Sequence, residues 1–384
     1  YLPSGLPARP AVQFAYNAAA LPLTTANLNT SVTNSLQNDY QTRETIPAAY
    51  LQGEVKLAKN LQMTAGVRVE QTKAAITSRF ENTRAATPEE RFGTFRTVES
   101  DYVDWFPNLQ FRYEPIPHFT VRANYSTTIG RPRISDLVGR FSINDLGQTV
   151  SFSNPSLKPQ ISSNYDVSLE YYFKPVGVVS IGAFRKDIKN YVTATSFRIV
   201  GNEFGLDLDE FVGWTGNSRI NSGDGEVKGM EFNYSQQLSF LPGVLRGLGV
   251  MANWTVLTSA GDYNGVVGNL PFANNLTGMR PRSGNVGVTY NQGRWDLRVM
   301  WNYSDTYLAS LNTGDPSSSE FIGRRGQFDF FARFRVSEKI NVFFDVINLA
   351  EENRGRYSGL YRDDRQAQTN LFPRSISAGI QARF

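Results

Sequence analysis

Apolar and polar residues alternate with a period of two along most of the chain. From Leu61 the apolar positions are Leu61, Met63, Ala65, Val67 and Val69, set against Gln62, Thr64, Gly66, Arg68 and Glu70. Around Tyr165 they are Tyr165, Val167, Leu169 and Tyr171, against Asn164, Asp166, Ser168 and Glu170. From Trp295 they are Trp295, Leu297, Val299, Trp301 and Tyr303, against Asp296, Arg298, Met300, Asn302 and Ser304. At the C-terminus Ile376, Ala378, Ile380, Ala382 and Phe384 alternate with Ser375, Ser377, Gly379, Gln381 and Arg383. In these stretches every position of one parity is apolar or aromatic, and in the other parity only Met300 is. A helical period of 3.6 cannot produce this, so each stretch is a strand with two unlike faces.

Continued along the chain, the alternation predicts about thirteen strands. They begin near Ile46, Leu61, Tyr102, Phe119, Asn164, Val178, Gly225, Gly247, Arg282, Trp295, Arg325, Ile340 and Leu371. Short turns are predicted at Ala58-Lys59-Asn60, Glu114 to His118, Lys174 to Gly177, Asn291 to Arg294 and Ser337-Glu338-Lys339. Long polar loops fall between them, at roughly 78–101, 133–163, 193–224, 259–281, 308–324 and 359–370. The connection Gln237 to Arg246 is long for a turn but has a compact Leu-Pro-Gly core. Residues 1–45, rich in Ala, Asn, Thr and Pro, read as a long extracellular loop, with the strand region spanning 46–384.

Short turns at one end and long loops at the other is the sidedness of an outer-membrane barrel, turns periplasmic and loops extracellular. A soluble sandwich has no reason to sort its loops by end, and it hides its apolar face in a core. Here that face carries Trp254, Trp301, Tyr303, Tyr125, Tyr171 and Tyr172 at strand ends, where amphipathic rings suit the membrane interfaces. The expected fold class is therefore all-β, an antiparallel transmembrane β-barrel. Single-chain bacterial barrels have even strand numbers, and an open sheet edge leaves amides unpaired in hydrocarbon. The chain opens at Tyr1 without a signal-peptide pattern. Together these lead us to expect that the N-terminal part of the native protein is missing.

Composition removes competing classes. Hydrophobic residues make up 40% and aromatic residues 13%, yet no apolar run reaches the roughly 18 residues of a spanning helix. The most apolar stretch, Val342 to Ala350, is broken by Asp345 and Asn348. A mean hydropathy of -0.35 looks soluble, but barrels look soluble too because every second strand residue is polar. The absence of cysteine removes disulfides, thiol nucleophiles and zinc–thiolate sites. The single histidine, His118, lies in the turn Pro115-Ile116-Pro117-His118 and cannot build a histidine metal site. The net charge of +4 is dispersed, with no basic run interleaved with aromatics, so no nucleic-acid footprint exists. The common nucleophile–base pairs cannot be assembled. Gly223-Asp224-Gly225 has no following helix and is no phosphate cradle. We expect no enzyme, cofactor or metal.

Specific residues then resemble a family. The stretch Tyr125-Ser126-Thr127-Thr128-Ile129-Gly130-Arg131-Pro132, followed by Ile134-Ser135-Asp136-Leu137, resembles a strand-to-loop segment of TonB-dependent receptors. So do Asn154-Pro155-Ser156-Leu157-Lys158-Pro159, then Asn164-Tyr165-Asp166 and Leu169-Glu170-Tyr171-Tyr172-Phe173. Phe184-Arg185-Lys186-Asp187-Ile188, Gly229-Met230-Glu231, Asn348-Leu349 and Phe384 add to the ordered series, which runs from Glu44 to the end. The resemblance implies a barrel of twenty-two strands around an N-terminal plug, pulled through its TonB box by the inner-membrane TonB–ExbB–ExbD complex. It implies that this chain holds the last thirteen strands, with the plug, the TonB box and about nine strands outside it. Phe384, with Ala382 and Ile380 before it, looks like the signal read by the barrel-assembly machinery; interfacial packing explains the same residues.

The implied function is TonB-dependent uptake of a bulky, scarce ligand, of carbohydrate or iron–siderophore type, across the bacterial outer membrane. Abundant loop aromatics tilt the choice slightly toward carbohydrate. The alternatives are a passive porin-like channel and an outer-membrane barrel enzyme. Ligand contacts are expected from loop residues Trp214, Asn217, Tyr263, Phe272, Asn274, Asn275 and Tyr307, which can stack and hydrogen-bond, although ordinary loop packing explains any one of them. Asp207, Asp209 and Glu210 offer the oxygen ligands Ca²⁺ takes, but a solvated loop is the simpler reading. The polar parity, with Arg68, Glu70, Arg112, Arg122, Asp166, Glu170, Asp296, Arg298, Asp329, Arg333, Arg335 and Arg383, is expected to line a wet lumen or meet a plug.

Overall fold

The computed structural model describes residues 35–36, 39–80, 85, 87–138, 141–174, 176–206, 208–261, 275–312, 316–359 and 365–383. Along the chain, β1 (Tyr40–Thr45), β2 (Ala48–Ala58), β3 (Leu61–Phe80), β4 (Thr94–Ile116) and β5 (Phe119–Gly130) begin the wall. A first excursion holds β6 (Phe141–Asn144) and β7 (Thr149–Phe152), after which β8 (Gln160–Phe173) and β9 (Gly177–Lys189) resume the wall. A second holds β10 (Val192–Arg198) and β11 (Thr215–Asn221). The wall continues through β12 (Gly225–Gln237), β13 (Leu248–Gly261), β14 (Arg282–Gln292) and β15 (Trp295–Ser304). After β16 (Tyr307–Ser310) and β17 (Glu320–Ile322) come wall strands β18 (Arg325–Arg335) and β19 (Ile340–Ile347). The last excursion carries β20 (Arg354–Ser358) and β21 (Arg365–Asn370), and β22 (Ser375–Ala382) ends the wall. No described helix is long and apolar enough to cross a membrane.

One antiparallel sheet takes β1 through β22 in order, skipping the excursions, with β1 and β2 lying end to end along β3. The break between them falls at Ile46-Pro47. Proline has no N–H to give the ladder, and Gln71 instead donates its N–H to the Pro47 carbonyl at 3.0 Å. Counted as one kinked strand, β1–β2 brings the wall to the thirteen strand positions the alternation predicts. Tyr40–Thr45 therefore belongs to the wall, inside the region expected to be loop. Beyond this first strand, three differ by four residues or more at their starts: β4 begins at Thr94, β8 at Gln160 and β22 at Ser375.

Turns and loops sort by end as expected. His118 closes the tight β4–β5 turn with φ of 70°. On the wall's outer face Tyr165, Val167 and Leu169 are 46%, 50% and 41% exposed; no layer of described residues covers them, as suits a face turned to hydrocarbon. Two aromatic rings bound this band. On the loop side Trp254 stacks near Trp301 (6.1 Å) and Tyr303 (5.4 Å), and Tyr125 meets Tyr165 at 5.1 Å. On the turn side Tyr171 meets Phe173 at 5.2 Å and Trp295 meets Phe334 at 4.7 Å. Six residues of β15 separate Trp295 from Trp301, roughly 20 Å of extended chain, close to the apolar band of an outer-membrane barrel. Tyr172 departs from the expected set. It has lumen parity, and its hydroxyl donates to Glu170 Oε2 at 2.7 Å.

Candidate functional site

The long excursions, expected as long polar loops, fold into two small sheets. One has the order β10-β11-β7-β6 and joins two separate excursions through a parallel β7–β11 ladder, the exception to antiparallel pairing. The other has the order β16-β17-β20-β21 and joins two more. Each has its own dry core. Phe141, Val150, Phe152, Ile199, Leu206, Leu208 and Phe211 fill the first. Leu276, Leu308, Leu311 and Phe321 fill the second, together with Val227 and packed against Phe184 and Leu257.

Those last three residues locate the lobes. Val227, Phe184 and Leu257 belong to wall strands and share lumen parity. Ile76, also of lumen parity, packs with Leu137, Val138 and Leu157 of the first excursion. The lobes therefore lean inward over the extracellular mouth. Gly229 permits part of this. A Cβ there would run into the Val256 carbonyl and meet the Phe184 ring at 2.9 Å, so Phe184 lies across a position that only glycine fits.

The motif residues hold this arrangement. Arg131 Nη2 donates to Glu70 Oε2 at 2.7 Å and to Thr72 Oγ1 at 3.0 Å, tying the end of β5 to β3. Asn154 is buried, donates from Nδ2 to the Arg219 carbonyl (2.9 Å) and accepts the Ser156 N–H on Oδ1 (2.9 Å). Asn221 Oδ1 accepts the Lys158 N–H at 2.9 Å, and its Nδ2 donates back to the Lys158 carbonyl at 2.9 Å. Asn348, at φ of 57°, has its N–H on Asp329 Oδ1 (2.9 Å) and its Oδ1 on the Glu352 N–H (2.9 Å) as β19 ends. Burial among the loops draws the Arg354 guanidinium of β20 down from its usual range.

Between the lobes lies a cleft of about 320 Å³, lined from one side by Asp136, Ser153, Ser196, Asn217 and Arg219 and from the other by Ser310 and Leu311. Arg219 Nε pairs with Asp136 Oδ2 at 3.4 Å. Ser196 Oγ donates to Asn217 Oδ1 at 2.6 Å, which fixes the amide's orientation and leaves its NH2 group to donate elsewhere. Ser218 Oγ, also on the lining, is buried without a partner among the described residues. Hydroxyls, an amide and one ion pair can hydrogen-bond a polar, oxygen-rich ligand; nothing in this set is a nucleophile beside a base.

Of the contact residues expected from sequence that are among the described residues, only Asn217 lines the cleft. Trp214 packs on Phe211 at 5.3 Å inside the first lobe. Tyr307 sits in the second sheet under Arg280, 4.8 Å from its guanidinium. Asn275 is exposed beside the buried Leu276, away from the cleft lining. Tyr263, Phe272 and Asn274 lie outside the described residues, as do Asp207 and Phe384. No acidic or histidine group suited to a metal occurs among the described residues. Ile380 and Ala382 hold the outer face of β22, opposite Val342 and Ile340. Sequence reading missed Asp136, Ser196 and Arg219 as lining groups, because each is an ordinary polar residue until two excursions pair.

A lipid-facing wall with loop-built lobes leaning inward over one end defines the wall of an outer-membrane β-barrel. The family described as TonB dependent receptor-like, beta-barrel matches residues 4–349, and the chain belongs to it. Proteins of this family are outer-membrane transporters and receptors rather than enzymes. Among solved structures, the ferric-catecholate import receptor Fiu from K12 E. coli is 14% identical. Its TM-score is 0.62, covering 90% of this chain and 45% of that one. The ferric yersiniabactin uptake receptor FyuA from Yersinia pestis is 14% identical, with a TM-score of 0.61 over 90% of this chain and 46% of that one. The copper transporter OprC is 13% identical, with a TM-score of 0.60 over 89% of this chain and 48% of that one. This chain thus spans about half the length of the receptors it matches. No curated protein matches it in sequence.

Proposed function

We propose that this chain is the C-terminal wall and mouth of a TonB-dependent importer that captures a bulky, scarce, oxygen-rich ligand at the extracellular side. The observation that carries the reading is the cleft between two inward-leaning lobes, lined by Asn217, Ser196, Arg219 and Asp136. A ligand held there sits over the lumen it must enter. Energy would come from the TonB–ExbB–ExbD complex through a plug and TonB box outside this chain. The terminal Ile380, Ala382 and Phe384 would address the strand to the barrel-assembly machinery. The solved relatives named above handle iron chelates or copper. The hydroxyl and amide lining here fits the oxygen rim of a chelate and the hydroxyls of an oligosaccharide alike.

The deciding measurement is calorimetry on the intact receptor with a ferric siderophore series and an oligosaccharide series. One series should bind, and Asn217→Ala with Arg219→Ala should weaken it roughly tenfold or more, about 1.4 kcal/mol. Uptake of that ligand should stop in cells lacking TonB. A passive channel would instead conduct ions steadily in planar bilayers and import without TonB, and either result would end the proposal.

A further inference from the structure

One connection at the turn end has a composition unlike its neighbours. The β14–β15 and β18–β19 turns are polar, Gln292-Gly293-Arg294 and Ser337-Glu338-Lys339. By contrast, β12 and β13 are joined by Leu238-Ser239-Phe240-Leu241-Pro242-Gly243-Val244-Leu245-Arg246-Gly247. Phe240 is 65% exposed, Val244 68% and Leu245 48%, as open as the lipid-facing Val167 at 50%. Val176, in the adjoining β8–β9 turn, is also exposed, and its carbonyl accepts the Gln237 N–H at 3.2 Å. The four apolar side chains thus belong to two turns tied together at one rim.

The connection is built rather than slack. The Leu238 N–H donates to the Leu248 carbonyl at 2.8 Å, that of Leu241 to Leu238 at 3.0 Å and that of Leu245 to Pro242 at 3.2 Å. Gln237 Nε2 also donates to the Leu248 carbonyl, at 2.9 Å. A Cβ on Gly247 would meet Gln292 Cβ at 2.7 Å and the Asn291 carbonyl at 3.1 Å, so the connection rests against the end of β14. This framework holds Phe240, Val244 and Leu245 in the open, where contact with water is unfavourable.

The register points to the medium that meets them instead. Leu248 stands opposite Tyr290, and Gln292 stands opposite Trp295 of the turn-side aromatic ring. The Leu238–Leu248 pair therefore lies two register positions to the membrane side of Trp295. Leu248 also shares the outer-face parity of Val250 and Trp254. The apolar connection continues the face already turned to hydrocarbon. Its single charged residue is Arg246, and a cation at the border of an apolar segment suits the phosphates of a phospholipid leaflet.

We propose that the β12–β13 connection is a lipid-anchoring finger. Phe240, Val244 and Leu245, flanked by Val176, enter the phospholipid of the periplasmic leaflet, and Arg246 meets its phosphates. This anchorage is independent of what the mouth at the opposite end captures.

The chain has no cysteine, so Val244→Cys in an otherwise cysteine-free intact receptor accepts one environment-sensitive fluorophore. Glu338→Cys, in the polar β18–β19 turn, is the comparison. Both are reconstituted in phosphatidylethanolamine–phosphatidylglycerol vesicles, either with iodide on both faces or with lipid carrying a quencher near the glycerol end of its acyl chain. The lipid quencher should act about threefold more strongly at position 244 than at position 338, and iodide about threefold more weakly. Arg246→Glu should lower the lipid quenching at position 244 about twofold; no change would take Arg246 out of the contact. Heat-modifiable migration reports assembly, and Leu245→Cys carries the same comparison should Val244→Cys fail to assemble. Equal iodide quenching at the two positions would place the finger in water and overturn the proposal. Shielding from iodide without quenching by lipid would mean that protein, a second copy or another part of the receptor, covers the finger, and would overturn it too.

Discussion

The wall and the lobes are both sheets of one chain, and they obey opposite burial rules. In the wall, Val167 and Leu169 stand on the exposed face while polar residues share the lumen side. In the lobes, Val150 and Leu208 have no exposure at all. The backbone physics is the same; the solvent differs. Hydrocarbon outside the wall makes exposure of Val, Leu and Ile favourable, whereas water around the lobes makes burial favourable. Which face is apolar thus reports where a strand sits relative to the membrane.

Truncation of the lobe core should give the largest effect. Leu208→Ala should cost about 2–5 kcal/mol, as for other fully buried leucines. The loss should stay local, read as faster hydrogen exchange across β10 and β11 with heat-modifiable migration of the barrel unchanged. A global loss would mean that lobe and wall fold as one unit.

The next test separates the wall's two faces. Val288 lies midway between the aromatic rings, opposite Val299. Val288→Arg should cost about 2–4 kcal/mol in denaturant titrations in lipid vesicles, and Thr289→Arg, on the lumen side, much less. Equal penalties would contradict the facing assigned here.

A smaller effect is expected at the rim of the first lobe. Asp136→Asn removes an ion pair between partly exposed groups and should change stability by less than about 1 kcal/mol, measured by the same titration. A larger loss would show that the pair braces the lobes.

The thirteen wall positions were legible because two unlike solvents impress a strict alternation on each strand. Where that contrast fades, the signal fades too. The start of β4, Thr94 to Asp101, carries Arg96, Glu99 and Asp101 and pairs with the far half of β3. At 23 residues β4 is about twice the length a barrel strand needs to cross. The far half therefore meets water on both sides, and its pattern says nothing of a strand. Tyr40–Thr45 is polar for the same reason. The lobe strands, four to seven residues long in the first sheet, are too short for periodicity to distinguish. Their pairing, Thr149–Ser151 beside Thr215–Asn217, joins segments with a long stretch of wall between them. Asn217 was recognisable as a loop amide, while the partnership of Asp136 with Arg219 exists only once those segments meet.

The β7–β11 and β17–β20 ladders have a mechanical consequence. Backbone hydrogen bonds weld excursions that leave the barrel at different strands, so none of the four can swing without carrying its mate. Any opening of this mouth would then take the form of two jaws parting along the seam between them. A tether across that seam would hold the jaws shut without breaking either ladder.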